Sequence, residues 1–166
     1  NLSEGYPGTA DRDLVFGALG NDTLNGGDGD DVAIYDGGFL PSGVFINNTS
    51  TAIGSVLAFM VDKRNGQFDS LSSIEAFHGT NSDDEIHVGG LGEVDSYTFD
   101  RAGNDRVVAS QDPGAVGGHE FNAGSGNDTL IGTITDQDRG EFTVDDSDGA
   151  GPVTQGGDVD LAAGTA

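Results

Sequence analysis

The sequence predicts an all-β fold made of short strands that recur along the chain. Glycine is abundant, at 29 of 166 residues, yet there is no collagen period and there are only 4 prolines. A nine-residue pattern returns several times, with an apolar residue at the same place in each copy. The low hydrophobic content of 34% and the formal net charge of −23 are also typical of disordered chains. The regular recurrence of Val, Ile, Leu and Phe favours a folded repeat instead.

The repeat has six recognisable copies, and the first three follow one another without a gap. They occupy residues 8–16, 17–25, 26–34, 79–87, 100–108 and 123–131. The sixth place holds Asp in every copy: Asp13, Asp22, Asp31, Asp84, Asp105 and Asp128. Because this Asp helps to define the copies, the independent support comes from the eighth place. That place is apolar in all six copies, as expected for a side chain that fills a narrow core.

The repeat resembles the RTX (repeats-in-toxin) nonapeptide G-G-x-G-x-D-x-U-x, a calcium-binding β-helix repeat. Residues 26–34 and 123–131 are the closest matches. The stretch from Asp69 to Ile86 also looks like a connector of secreted RTX proteins, in which a D-x-L-x-x-I-E strand leads back into a repeat. The resemblance implies a right-handed parallel β-roll or β-helix with an inserted β segment. It also implies an extracellular location, either secreted or on the cell surface.

The residue types of the repeat suit calcium for physical reasons. Glycine adopts positive φ without steric cost, so a glycine-rich turn can aim its backbone carbonyl groups inward. Calcium takes six to eight oxygen ligands at roughly 2.3–2.6 Å, which two stacked turns could supply together. Our candidate metal ligands are the turn carboxylates, the turn glycines and one amide: Asp11, Asp13, Gly17, Gly20, Asp22, Gly26, Gly27, Gly29, Asp31, Asn81, Asp84, Gly103, Asp105, Gly124, Gly126 and Asp128.

The spacing of the Asp residues predicts which turns stack. Two nonapeptides make one coil, so turns on the same side lie 18 residues apart, as Asp13 and Asp31 do. Asp84 and Asp105 are 21 apart, which is one coil with three inserted residues. Asp22 has no such partner, because Leu40 stands 18 positions later. Its site is therefore either incomplete or finished by another segment.

We divide the chain into four parts. They are a first block of RTX repeats over residues 1–34, an inserted β segment over 35–78, a second block of degenerate repeats over 79–149 and a polar tail or linker over 150–166. The inserted strands either widen the roll or form a small appendage packed on it. Within them, Asn65-Gly66 predicts a two-residue hairpin turn between residues 59–61 and Phe68.

Charge and composition exclude several functional classes. The strongly acidic chain would be repelled by nucleic acid and by anionic membranes. Its longest apolar run, Val56 to Val61, is too short to insert across a bilayer. The absence of cysteine excludes disulfides and thiolate metal sites. We expect no enzymatic activity, because Ser125 lies in a repeat turn and Lys63, the single lysine, belongs to no phosphate-binding loop.

The predicted function is a calcium-binding β-roll module of a secreted or cell-surface protein that folds on calcium. Calcium ions are its expected cofactor and partner. Two alternatives stay open. One is a self-assembling extracellular surface-layer, adhesin or filament subunit. The other is a polysaccharide-binding module of a secreted enzyme.

Overall fold

The computed structural model describes residues 12–36, 38–89, 96–99, 101–109, 119–122, 124, 126–132 and 158–161. These residues form strands and turns without any helix, so the expected all-β class is confirmed. The strands are β1 (Leu14–Phe16), β2 (Thr23–Asn25), β3 (Val32–Ile34), β4 (Phe45–Asn48), β5 (Met60–Asp62), β6 (Phe68–Ser72), β7 (Ala76–His78), β8 (Glu85–Val88), β9 (Ser96–Phe99), β10 (Arg106–Ala109), β11 (His119–Asn122), β12 (Thr129–Gly132) and β13 (Asp158–Leu161). No helix long and apolar enough to cross a membrane occurs in these ranges.

The strands form two sheets. The first has five strands in the order β1-β3-β7-β9-β11, and every neighbouring pair is parallel. The second has eight strands in the order β13-β12-β10-β8-β4-β5-β6-β2. This second sheet is mixed rather than wholly parallel, because β5 runs antiparallel to both β4 and β6. From β1 to β4 and from β6 to β12, successive strands alternate between the two sheets.

The antiparallel strands β5 and β6 are joined by a hairpin whose turn differs from the predicted one. Five residues, 63–67, separate the two strands, so the expectation of a two-residue turn at Asn65-Gly66 was wrong. The backbone N–H of Lys63 donates to the carbonyl of Gln67 at 3.0 Å, which extends the ladder by one bond. Arg64 and Gly66 then take positive φ values of 54° and 84° to reverse the chain. Asn65 does not take a positive φ, so the type I′ turn at Asn65-Gly66, which needs positive φ at both residues, does not form.

The core is built from the eighth places of the repeats, as predicted for the side chains described. These residues are Val15, Leu24, Ala33, Ile86 and Val107, each at most 4% exposed. Side chains of the inserted segment, including Ile46, Val61 and Leu71, belong to the same core cluster. On β1 and β2 the neighbouring positions face outward, and Leu14 and Phe16 on β1 are 55% and 53% exposed. The period of two sends the middle side chain of these strands inward to the core. On β3 the outer face is covered as well, because Val32 and Ile34 form a second buried cluster with Ala76.

Candidate metal site

Buried carboxylates stack beside the start of the parallel strands. Asp84, Asp105 and Asp128, which we call the aspartate ladder, each precede a strand of the second sheet. Asp105 Oδ1 accepts the backbone N–H of Asp84 at 2.8 Å, and Asp128 Oδ1 accepts that of Asp105 at 3.0 Å. Asp84 Oδ1 in turn accepts the N–H of Val44 at 2.7 Å. Each carboxylate therefore ties its own turn to the residue that precedes the neighbouring strand.

The first sheet carries the same arrangement at the pair predicted from the 18-residue spacing. Asp31 Oδ1 accepts the backbone N–H of Asp13 at 2.8 Å, and β1 pairs in parallel with β3. The next place is taken by Glu75, whose Oε2 accepts the N–H of Asp31 at 2.9 Å. Sequence reasoning did not select Glu75 as a site residue, because it lies outside every nonapeptide copy. It is, however, the Glu of the D-x-L-x-x-I-E connector.

Burial disfavours the ionised form of the three carboxylates of the aspartate ladder. Asp84 and Asp105 are each 2% exposed and Asp128 is 4% exposed. Desolvation, together with the nearby charges of Asp84 and Asp128, raises the pKa of Asp105 to about 7. Desolvation also raises the pKa of both Asp84 and Asp128. The ionised ladder is therefore costly unless a cation lies beside it.

Among the residues that the structure describes, two buried carboxylate oxygens have no hydrogen-bond partner. They are Asp31 Oδ2 and Asp105 Oδ2, both buried. A buried oxygen without a donor loses its hydration and receives nothing in return, which typically costs about 1–3 kcal/mol or more for a charged group. Hard carboxylate oxygen is the ligand type that calcium prefers. The chemistry of these two atoms therefore fits a calcium ion.

Asp84 differs from these two residues because the protein satisfies both of its oxygens. Thr80 donates its hydroxyl to Asp84 Oδ1 at 2.9 Å and its backbone N–H to Asp84 Oδ2 at 2.6 Å. Asp84 Oδ1 also accepts from Val44, as described above. The main contribution of Asp84 is therefore to fix the turn of residues 79–84 rather than to present a free oxygen.

The glycine turns stack closely enough to bring their carbonyl groups together. Gly103 and Gly126 have positive φ values of 142° and 149°. A Cβ atom added at Gly126 would clash with the carbonyl oxygen of Gly103. A Cβ atom at Gly103 would lie 2.7 Å from the carbonyl oxygen of Ser82. Side chains at these places would push the turns apart, so glycine keeps the carbonyl groups of adjacent coils close.

The remaining predicted ligands fall into different surroundings. The ring of Tyr35 packs directly against Gly17, and Gly26 lies against Asp31 Oδ2. Asn81 is exposed, and Asp11 lies outside the described residues. Gly20 and Gly29 hold the fourth place of their copies and Gly27 the second place, and all three have positive φ. Gly124 is partly buried at the start of the last described turn.

Asp22 was predicted to have either an incomplete site or a partner from another segment, and a partner is found. Asp69, which lies 47 positions later, accepts the backbone N–H of Asp22 through Oδ1 at 2.8 Å. The ammonium group of Lys63 lies between the two residues, 3.2 Å from Asp22 Oδ2 and 2.7 Å from Asp69 Oδ1. The inserted segment therefore completes this turn with a cation of its own.

Side chains alone do not make a metal cluster in the part of the chain that the structure describes. No group of three acidic or histidine side chains converges there. A calcium ion beside Asp31 or Asp105 would therefore use backbone carbonyl oxygens for part of its shell, as calcium does in other protein loops. Stacked glycine turns, each closed by a buried Asp, define an all-β repeat protein with oxygen-rich turns suited to a hard cation.

The family comparison agrees with this description. The family model for the RTX calcium-binding nonapeptide repeat matches four copies, at residues 7–39 and 120–134. The matched residues thus carry RTX repeats, as the resemblance predicted, and these repeats support a calcium-binding module. Residues 79–108 lie outside the matched ranges, although Asp84 and Asp105 stack with Asp128 in one ladder. A search of curated proteins finds no significant match to the chain.

Proposed function

We propose that the chain is a calcium-binding β-roll module of a secreted or cell-surface protein, and that calcium completes its fold. One observation carries the proposal: Asp31 Oδ2 and Asp105 Oδ2 are buried without partners inside stacks of carboxylates. The alternation of strands between two sheets supports a roll in which two nonapeptides make one coil. Calcium sites of extracellular modules are typically weak, at roughly 0.1–1 mM, so they fill where calcium is abundant.

Calcium should stabilise the fold because the stacked carboxylates repel one another in its absence. Two like charges 4 Å apart repel by roughly 4 kcal/mol at an effective dielectric constant of 20. A divalent cation between them turns this repulsion into attraction. A site with a dissociation constant of about 0.1 mM in about 10 mM calcium contributes roughly 2.7 kcal/mol. Two or three such sites would match much of a domain's total stability of about 5–15 kcal/mol.

In this proposal some residues bind the ion and others hold the turns in register. Asp31 and Asp105 each use Oδ1 to hold a neighbouring turn and Oδ2 to meet the ion. The turn glycines bring backbone carbonyl groups to the same place. Asp84 and Glu75 hold the stack in register through their hydrogen bonds to backbone N–H groups.

Equilibrium dialysis against calcium, with magnesium as the control ion, tests the proposal. The wild type should bind calcium, and the double variant Asp31→Asn with Asp105→Asn should bind fewer ions per chain. The exposed pair Asp30→Asn with Asp83→Asn makes the same change in charge and should keep the wild-type number. Asp30 precedes Asp31, and Asp83 accepts the backbone N–H of Asn104, the residue before Asp105. Equal binding by all three proteins would show that the buried oxygens are not ligands.

Self-association is a second candidate function. β1 is the terminal strand in the order of the first sheet, and its side chains Leu14 and Phe16 are more than half exposed. An edge strand that carries exposed apolar side chains is a surface on which a second chain can pair. Light scattering of the calcium-loaded protein tests this idea. Particle size should grow with concentration in the wild type and not in Leu14→Lys with Phe16→Lys.

A further inference from the structure

Lys63 is a buried cation inside a turn that has the composition of a metal site. It is 1% exposed and directly follows β5. Its ammonium group donates to the carbonyl oxygen of Ala18 and, at 3.0 Å, to that of Gly20. It also lies 3.2 Å from Asp22 Oδ2 and 2.7 Å from Asp69 Oδ1. Four oxygens therefore surround one positive charge.

These oxygens are of the kinds that a calcium ion would use. Ala18, Gly20 and Asp22 hold the second, fourth and sixth places of one nonapeptide. Asp69 lies in β6, the strand paired with β2, and the backbone N–H of Ser70 beside it donates to the carbonyl of Asp22 at 2.9 Å. Two carbonyl groups and a carboxylate from one turn, with a second carboxylate from the neighbouring strand, are oxygen ligands of the kinds that calcium takes.

We propose that the ammonium group of Lys63 replaces a calcium ion at the turn of residues 17–22, so that this turn binds no metal. The inference rests on the proposed function, because it takes the other turns to be calcium sites. An ammonium group and a calcium ion cannot share the place, since they carry like charges and need the same oxygens.

A contrast between the turns supports the assignment. The second oxygen of Asp69 accepts the hydroxyl of Tyr35 at 3.1 Å, so neither oxygen of Asp69 lacks a partner. The oxygens Asp31 Oδ2 and Asp105 Oδ2, where no lysine reaches, do lack one. The turn that contains the Lys63 ammonium group leaves no oxygen of Asp69 unsatisfied, whereas Asp31 and Asp105, which have no such cation, each keep one oxygen without a partner.

Further hydrogen bonds hold the lysine loop on this turn. The backbone N–H of Gly20 donates to Gln67 Oε1 at 3.0 Å, and that of Phe68 donates to Asn21 Oδ1 at 2.9 Å. The C-terminal end of the loop of residues 63–67 is thus fixed on this turn. Lys63 is held in place by its own loop as well as by the four oxygens.

Substitution of Lys63 by alanine should open a new metal site. The variant Lys63→Ala, compared with the wild type by equilibrium dialysis in millimolar calcium, should bind one additional ion per chain. Arg106→Ala is the matched control, because it removes one positive charge from a side chain that is 44% exposed and outside this turn. It should bind the wild-type number. The double variant Lys63→Ala with Asp69→Asn should lose the additional ion.

Terbium luminescence gives a second measurement that does not depend on the folding of the alanine variant. Terbium occupies calcium sites and emits when a nearby tyrosine transfers energy to it. Tyr35 reports on this turn, because its hydroxyl donates to Asp69. If Lys63 fills the turn, Tyr35→Phe should leave the terbium emission of the wild type unchanged. A drop in that emission would place an ion beside Tyr35 and overturn the proposal.

The outcomes separate this inference from the proposed function. Calcium binding by the wild type, with no additional ion in Lys63→Ala, overturns the inference alone. An ion bound by Lys63→Ala but none by the wild type supports the inference and overturns the proposed function. Absence of binding by both proteins overturns both.

Discussion

Asp105 accepts a hydrogen bond from the backbone N–H of Asp84 at 2.8 Å, although the two residues lie 21 positions apart. The bond is reciprocated by the backbone, since the N–H of Arg106 donates to the carbonyl of Asp84 at 2.9 Å. Only one carboxylate oxygen of Asp105 takes part, and the other is buried without a partner. The same side chain thus joins two coils and presents a free oxygen between them.

The substitution Asp105→Asn should have opposite effects with and without calcium. The asparagine Oδ1 can still accept the N–H of Asp84, but an amide nitrogen replaces the oxygen that would meet the ion. In EDTA the variant should be more stable than the wild type, because no buried charge remains at this place. In calcium its affinity should fall by at least about tenfold, or about 1.4 kcal/mol. Urea unfolding in both conditions and calcium titration calorimetry measure the two effects.

Asp83→Asn is the control for this variant. Asp83 is exposed and uses Oδ1 to accept from Asn104, a bond that asparagine can also make. It should change neither the stability in EDTA nor the calcium affinity appreciably. A loss of affinity equal to that of Asp105→Asn would mean that overall charge, rather than the buried oxygen, governs binding.

Acid should stabilise the calcium-free protein. The pKa of Asp105 is raised to about 7 in the fold, against about 3.9 in an unfolded chain. A raised pKa gives stability that is complete below the unfolded value and is lost as the pH rises through about 7. The urea midpoint in EDTA should therefore be higher at about pH 5 than at about pH 8. Asp105→Asn should show a flatter pH dependence, and an equally steep one would contradict this assignment.

Calcium affinity should change with pH in the opposite direction. The ion competes with the proton for the same carboxylates, so affinity should weaken as the pH falls below about 7. Calcium titration calorimetry in two buffers of different ionisation enthalpy, at about pH 6, should reveal proton release on binding. Binding without proton release would indicate that the ladder carboxylates are already ionised in the calcium-free state.

The regular part of the fold could be predicted from the sequence because the positions of the repeat correspond to positions in the structure. The eighth places are the core, and the 18-residue spacing brings Asp13 and Asp31 together. The connector D-x-L-x-x-I-E was recognised only as a likeness, and its four defined residues have structural roles. Asp69 and Glu75 accept backbone N–H groups of the first repeats, while Leu71 and Ile74 lie in the core.

The site of Lys63 could not be predicted from spacing. Asp22 and Asp69 are 47 positions apart, and the length of an insertion carries no periodic signal. The available signal was chemical: the single lysine of a chain with 29 acidic residues follows directly on an apolar strand. Many carboxylates are available to pair with this lysine, and the sequence alone does not determine which of them lie beside it in the fold.

Gly126→Ala should disturb the stacking of the turns. Its φ of 149° is unfavourable for alanine, at about 1–3 kcal/mol, and the added Cβ would also clash with the carbonyl of Gly103. Both stability and calcium affinity should fall. Gly54→Ala is the control, since Gly54 has a φ of 58° but open space around its Cα. It should cost about 1–2 kcal/mol and leave calcium affinity intact when measured in the folded protein.

Truncation of the core should destabilise the fold in proportion to burial. Ile86 is fully buried in the main cluster, so Ile86→Ala should cost about 2–5 kcal/mol in calcium. Leu14→Ala, at a side chain that is 55% exposed, should stay within about 0.5 kcal/mol of the wild type. Thermal unfolding followed by circular dichroism compares the two. Similar losses in both variants would contradict the inward orientation of the eighth place.

The central claim is that calcium completes this fold, and circular dichroism tests it most directly. The protein is first measured in EDTA and then titrated with calcium, with magnesium in a parallel titration. A cooperative gain of β signal with calcium, and little or none with magnesium, is the predicted result. A spectrum that is already fully β in EDTA and does not respond to calcium would contradict the claim, and the acidic turns would then be only a solvated surface.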